Sequence, residues 1–133
     1  MTARKAIFIT GGGSGIGRAT AILFAGKGWF VGLADVSAGG MAETAALLPP
    51  GQSSVHLMDV RDRAAWKAAL ADFWAASGER LDVMFNNAGI ARGGMFGDIS
   101  DVDHDMLIDI NFKGVVYGAE AALPLKLMSI NMS

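Results

Sequence analysis

The chain of 133 residues has no cysteine, which excludes a disulfide framework and thiol catalysis without fixing the compartment. It also has no long apolar run. The stretch behind Arg4 and Lys5 ends after Ala6–Ile9, too short for a signal-peptide core, and no later stretch is long enough to span a bilayer. An excess of either charge is nearly absent: the formal net charge is −2, so there is no electrostatic case for nucleic acid or an anionic membrane surface. Internal repeats, linkers and charge blocks are missing, as is any set of residues with metal-ligand spacing. These absences leave a cytoplasmic, metal-free, globular protein as the expectation, with 1–133 forming a single domain.

Apolar residues are abundant at 52%, and glycine is over-represented at 18 residues. Much of that glycine sits in 11–17 and 89–97, which reads as two working turns rather than low complexity. The first turn, Thr10 to Gly17, follows the apolar run Ala6–Ile9 and precedes Arg18–Lys27, where apolar residues recur at helical spacing. Strand, glycine turn and helix in that order bring several backbone N–H groups to a helix N-terminus, an arrangement suited to a phosphate group. The strict G-x-G-x-x-G spacing is not met, because Ile16 stands where its last glycine belongs. Gly11, Gly15 and Gly17 give G-x-x-x-G-x-G instead, and alone this fits a ligand-free hairpin as well as a phosphate cradle.

The next segments supply context. Trp29–Ala34 reads as a second buried strand ending on Asp35, 18 residues past Gly17. An acidic residue at that distance either accepts hydrogen bonds from ribose hydroxyls or merely ends a strand and caps the next segment. A carboxylate there repels a 2′-phosphate, and Val36 offers no cation to attract one, which favours NAD over NADP. A short helix over Ser37–Leu48 stops at Pro49-Pro50-Gly51. The third strand, Ser54–Met58, runs into Asp59-Val60, and its His56 reads as a core residue without a second ligand or nucleophile nearby. Asp62 is a plausible N-cap for Arg63–Ser77, where Trp66, Leu70, Phe73 and Trp74 make a packing face. Leu81–Phe85 is the fourth strand, leading into Asn86-Asn87-Ala88-Gly89, which is either an ordinary turn or the border of a ligand crevice. A long helix follows over Asp101–Leu123. Asn111 in its middle has either a solvent-facing or a functional explanation, and Pro124 ends or kinks the helix. Met128–Met132 reads as the start of a fifth strand. Strands alternating with helices indicate an α/β fold built on a doubly wound parallel sheet.

Taken together, Thr10-Gly11-x-x-x-Gly15-Ile16-Gly17, Asp35, Asp59-Val60, Asn87-Ala88-Gly89 and Asn111 resemble the short-chain dehydrogenase/reductase family. The resemblance covers the chain from end to end. It implies a Rossmann-type sheet of strand order 3-2-1-4-5, truncated at the fifth strand, and an NAD(P)-dependent oxidoreductase moving hydride between nicotinamide and an alcohol or carbonyl compound. By the same resemblance, Gly11, Ser14, Gly15, Ile16 and Gly17 bind the pyrophosphate and Asp35 the adenosine ribose. Asp59 and Val60 contact adenine, and Asn87, Ala88 and Gly89 flank the ribose and nicotinamide side. Asn111 is similar to the family's catalytic asparagine, whose backbone carbonyl holds a water.

The family's catalytic serine, tyrosine and lysine have no counterparts here. Tyr117 is the only tyrosine, Ala121 stands four residues on where a lysine belongs, and Ser133 is a poor candidate for the serine. The 133 residues are therefore expected to bind a dinucleotide without turnover, with homodimers or homotetramers formed by the intact protein. The alternatives are a non-catalytic dinucleotide-binding or interaction module and a methyltransferase, the latter disfavoured by Asn87-Ala88-Gly89 and Asn111.

Overall fold

The computed structural model describes residues 4–132. Elements follow in the order β1 (Ala6–Thr10), α1 (Gly15–Gly26), β2 (Phe30–Asp35), α2 (Ala38–Ala46), β3 (Ser53–Leu57), α3 (Arg63–Ala76) and β4 (Val83–Phe85). Then come α4 (Asp101–Ile108), a π-helical turn (Asp109–Lys113) and α5 (Gly114–Met132). The four strands form one sheet in the order β3-β2-β1-β4, with every neighbouring pair parallel. The direction of winding reverses beside β1, which is where an open α/β sheet leaves a crevice at its carboxyl edge.

The sheet separates two cores because successive strand side chains point to opposite faces. Ile7, Ile9, Val31 and Leu33 pack with Ala21 and Ala25 of α1 and Met41 of α2. Ala6, Phe8, Phe30 and Ala34 pack on the other face with Trp66, Leu70 and Phe73 of α3. Phe8 and Phe73 meet edge to face at 5.2 Å. Gly32 makes room for this packing, since a Cβ there would lie 2.5 Å from the Phe73 ring. The Asp62 carboxylate caps α3 as its sequence suggests, accepting from Ala64 N at 2.9 Å and Ala65 N at 3.1 Å.

Two expectations change. The fourth strand is shorter, Val83–Phe85 pairing with Ile7–Ile9 of β1; just before it, Asp82 N donates to Ala6 O at 2.8 Å and the Asp82 side chain accepts from Ala6 N at 2.9 Å. Met128–Met132 is not a fifth strand: α5 carries Pro124 inside it and continues to Met132. The intervening Leu125-Lys126-Leu127 contains no turn-forming residue, so the backbone keeps its hydrogen bonds within the helix. Ser133 lies outside the described residues.

His56 is a core residue, 7% exposed, with Nε2 2.7 Å from Ser54 Oγ. Burial holds its pKa below the ordinary 6.5, against a smaller opposing pull from Asp72. The unfolded chain therefore binds more protons between the folded-state pKa and 6.5, so this stability is present above pH 6.5 and lost as pH falls. Lowering the pH from about 7.5 to about 5.5 is expected to lower the stability, and His56→Gln to flatten that dependence. Denaturant titrations at both pH values measure this, and identical losses in the two proteins would contradict it.

Candidate functional site

A cleft of about 500 Å³ opens at the carboxyl ends of the strands. Its floor is the glycine turn, anchored to the neighbouring strand by Gly12 N to Ala34 O at 3.1 Å. Gly11 and Gly15 adopt φ of +68° and +53°, a region that side-chain-bearing residues rarely occupy. Nothing lies within 4 Å of a Cβ built on Gly15, which lines the cleft.

The amino end of α1 differs from the other helix starts around it. Ser37, Asp62 and Ser100 accept backbone N–H groups at the starts of α2, α3 and α4. Ser14 makes no such bond, and the first turn of α1 has no acidic residue. Among the described residues, no side chain accepts the N–H groups at this end, in a place where the dipole favours negative charge. A pyrophosphate fits this donor set and the open space over Gly15. A carboxylate stands at the end of β2: Asp35 Oδ2 accepts from Gly13 N at 2.9 Å and Oδ1 from Ser37 N at 3.0 Å. Each oxygen keeps a second lone pair for a hydroxyl.

Asp59 follows β3, and the Arg61 guanidinium holds it through Nε at 3.0 Å and Nη2 at 2.6 Å. That hydrogen bonding keeps the Asp59 pKa below its ordinary 3.8 and raises that of Arg61. On the β4 side, the buried Thr10 hydroxyl accepts from Asn87 N at 3.0 Å and Ala88 N at 2.9 Å. Asn87 Nδ2 returns a bond to Thr10 O at 3.2 Å, so the two turns are sewn together.

Gly11, Ser14, Gly15, Ile16, Asp35, Asp59, Val60, Asn87, Ala88 and Gly89 all border this cleft. Gly17 does not; it is buried under the turn, where a Cβ would collide with Gly11 O. Asn111 is also off the cleft. It sits in the π turn, and its side chain clamps Ile90, accepting from N at 2.8 Å and donating to O at 2.9 Å. Met106, Ile110 and Arg61 also reach the cleft. The Met106–Ile110 pair, four residues apart on one helix face, was a readable signal; the placement of Arg61 was not. Tyr117 lies elsewhere, in a groove between α3 and α5, under the Arg63 guanidinium at 4.4 Å.

A parallel sheet with a cleft at its carboxyl edge defines an open, doubly wound α/β protein. The family model for short chain dehydrogenases matches residues 5–131, and the chain belongs to that family. Levodione reductase of Leifsonia aquatica is 36% identical over 126 residues, covering 91% of this chain and 47% of the relative. The 3-oxoacyl-[acyl-carrier-protein] reductase FabG of Thermotoga maritima is 34% identical over 133 residues, covering 97% and 53%. The crystal structure of carveol dehydrogenase from Mycobacterium avium in complex with NAD superposes with a TM-score of 0.85 at 30% identity, covering 96% of this chain and 51% of that one. The chain thus spans about half the length of the relatives it matches. Among the described residues, no helix is long and apolar enough to cross a membrane.

Proposed function

We propose that residues 1–133 form the dinucleotide-binding unit of an oxidoreductase that uses NAD in preference to NADP and acts on a small alcohol or carbonyl compound. The observation that carries this is the glycine turn at the uncapped start of α1 with the Asp35 carboxylate bonded beside it, both lining one cleft. Solved neighbours in complex with NAD support the choice of cofactor class. A bound nicotinamide supplies the ring that gives or takes hydride; the residues here bind and orient it.

Gly11, Ser14, Gly15 and Ile16 hold the pyrophosphate, with Gly17 packed beneath them. Asp35 takes the adenosine ribose, Asp59 and Val60 the adenine, and Asn87, Ala88 and Gly89 the ribose on the nicotinamide side. Asn111 contributes through its backbone carbonyl while its side chain secures Ile90. Tyr117 is placed for packing and not for proton transfer, so these residues alone bind without turnover. Exposed Phe112, Val115, Val116 and Leu123 support a homodimer or homotetramer.

Calorimetric titration with NADH and NADPH tests the assignment, and tighter NADPH binding overturns it. Asp35→Ala is expected to reduce the NADH:NADPH affinity ratio by about tenfold, because a 2′-phosphate then meets no carboxylate. An unchanged ratio would make Asp35 a purely structural residue.

A further inference from the structure

The Asp35 carboxylate is fixed from two sides, and the two sides belong to different segments. Gly13, which bonds Oδ2, is part of the glycine turn; Ser37, which bonds Oδ1, caps α2. Those segments touch closely, since a Cβ on Gly40 would lie 2.8 Å from Gly13 O. One side chain joins them. Arg18, in the first turn of α1, donates from Nη2 to Gly13 O at 2.7 Å and to Gly40 O at 3.3 Å. Its Nε donates to Thr44 Oγ1 at 2.9 Å, and Nη2 also lies 3.1 Å from Glu43 Oε2. Thr44 is fully buried and donates to Gly40 O, so the α2 end of the latch is rigid. Arg18 does not line the cleft.

We propose that Arg18 is a positioning residue that aims the Asp35 carboxylate at the adenosine ribose diol by latching the glycine turn to the first turns of α2. This rests on the dinucleotide reading above. Without the latch, the turn and α2 are free to shift against each other, the two N–H groups that grip Asp35 separate, and the carboxylate loses its fixed plane. A planar guanidinium can address acceptors on both segments at once, whereas an ammonium is a single point. The effect therefore falls on the adenosine half of the ligand and on the discrimination against a 2′-phosphate.

The test is calorimetry on the wild-type chain, Arg18→Met and Arg18→Lys with NADH, ADP-ribose and NADPH, at a temperature where circular dichroism shows each chain folded. Arg18→Met is expected to weaken NADH and ADP-ribose by the same factor, about tenfold, and NADPH by less, so the NADH:NADPH ratio falls. Arg18→Lys is expected to resemble Arg18→Met, and it carries the test if the methionine variant does not fold. A lower thermal midpoint with an intact NADH:NADPH ratio would overturn the proposal, leaving Arg18 a merely structural residue. Failure of the wild-type chain to bind NADH sinks the dinucleotide reading, and this proposal with it. Wild-type binding with indifferent variants sinks the latch alone.

Discussion

Gly17→Ala is expected to lower stability by about 3 kcal/mol and the thermal midpoint by roughly 10 °C, the largest effect of any single methyl group added to the glycine turn. Gly17 is buried, and the added Cβ would overlap Gly11 O and approach Asn87 Nδ2 to 2.9 Å. Neither neighbour yields easily. The Gly11 carbonyl belongs to a backbone already held at positive φ, and Asn87 is bonded to Thr10. The strain consequently spreads into both turns, and nucleotide affinity falls with stability. Gly26→Ala is the control: its Cβ would meet nothing within 4 Å, and replacing a helical glycine is worth up to about 1 kcal/mol in its favour. Differential scanning calorimetry compares the two, and equal midpoints would refute the steric account.

Thr10→Val is expected to cost about 1–3 kcal/mol although it keeps the shape of the side chain. Thr10 is 2% exposed, and its hydroxyl is the acceptor for the N–H groups of both Asn87 and Ala88. Valine removes the acceptor and strands the Ala88 N–H, while the Asn87 N–H keeps the Phe85 carbonyl at 3.0 Å; stranding a buried donor costs about 1–3 kcal/mol. Thr10→Ser retains the oxygen and is expected to stay within about 1 kcal/mol of wild type. Urea denaturation of the three chains decides this, since a valine variant as stable as the serine variant means that the hydroxyl is not the tie between β1 and the Asn87–Gly89 turn.

What could be read from the sequence was local. The β1–turn–α1 unit is contiguous, so its apolar run, glycines and helical spacing all speak within one window. Asp62 declared itself as a cap because capping reaches only two or three residues ahead. Asp35 was legible because a strand end and an acidic residue coincide. The contacts that hold the site together are not local. Thr10 bonds residues 77 and 78 positions away, Asn111 clamps Ile90 across 21, and Arg18 reaches Thr44 across 26. No periodicity reports such pairings. The fifth-strand reading of Met128–Met132 failed for a related reason: a short apolar run suits strand and helix alike, and the connection before it decides between them.

The π turn at Asp109–Lys113 gives one long helical rod an extra residue relative to a regular helix. One residue is about 100° of rotation, so the rod's two halves are out of phase. Met106 before the turn therefore looks into the cleft while Tyr117 and Ala121 after it look toward α3. A single wide turn lets one helix line the cleft with its first half and the core with its second.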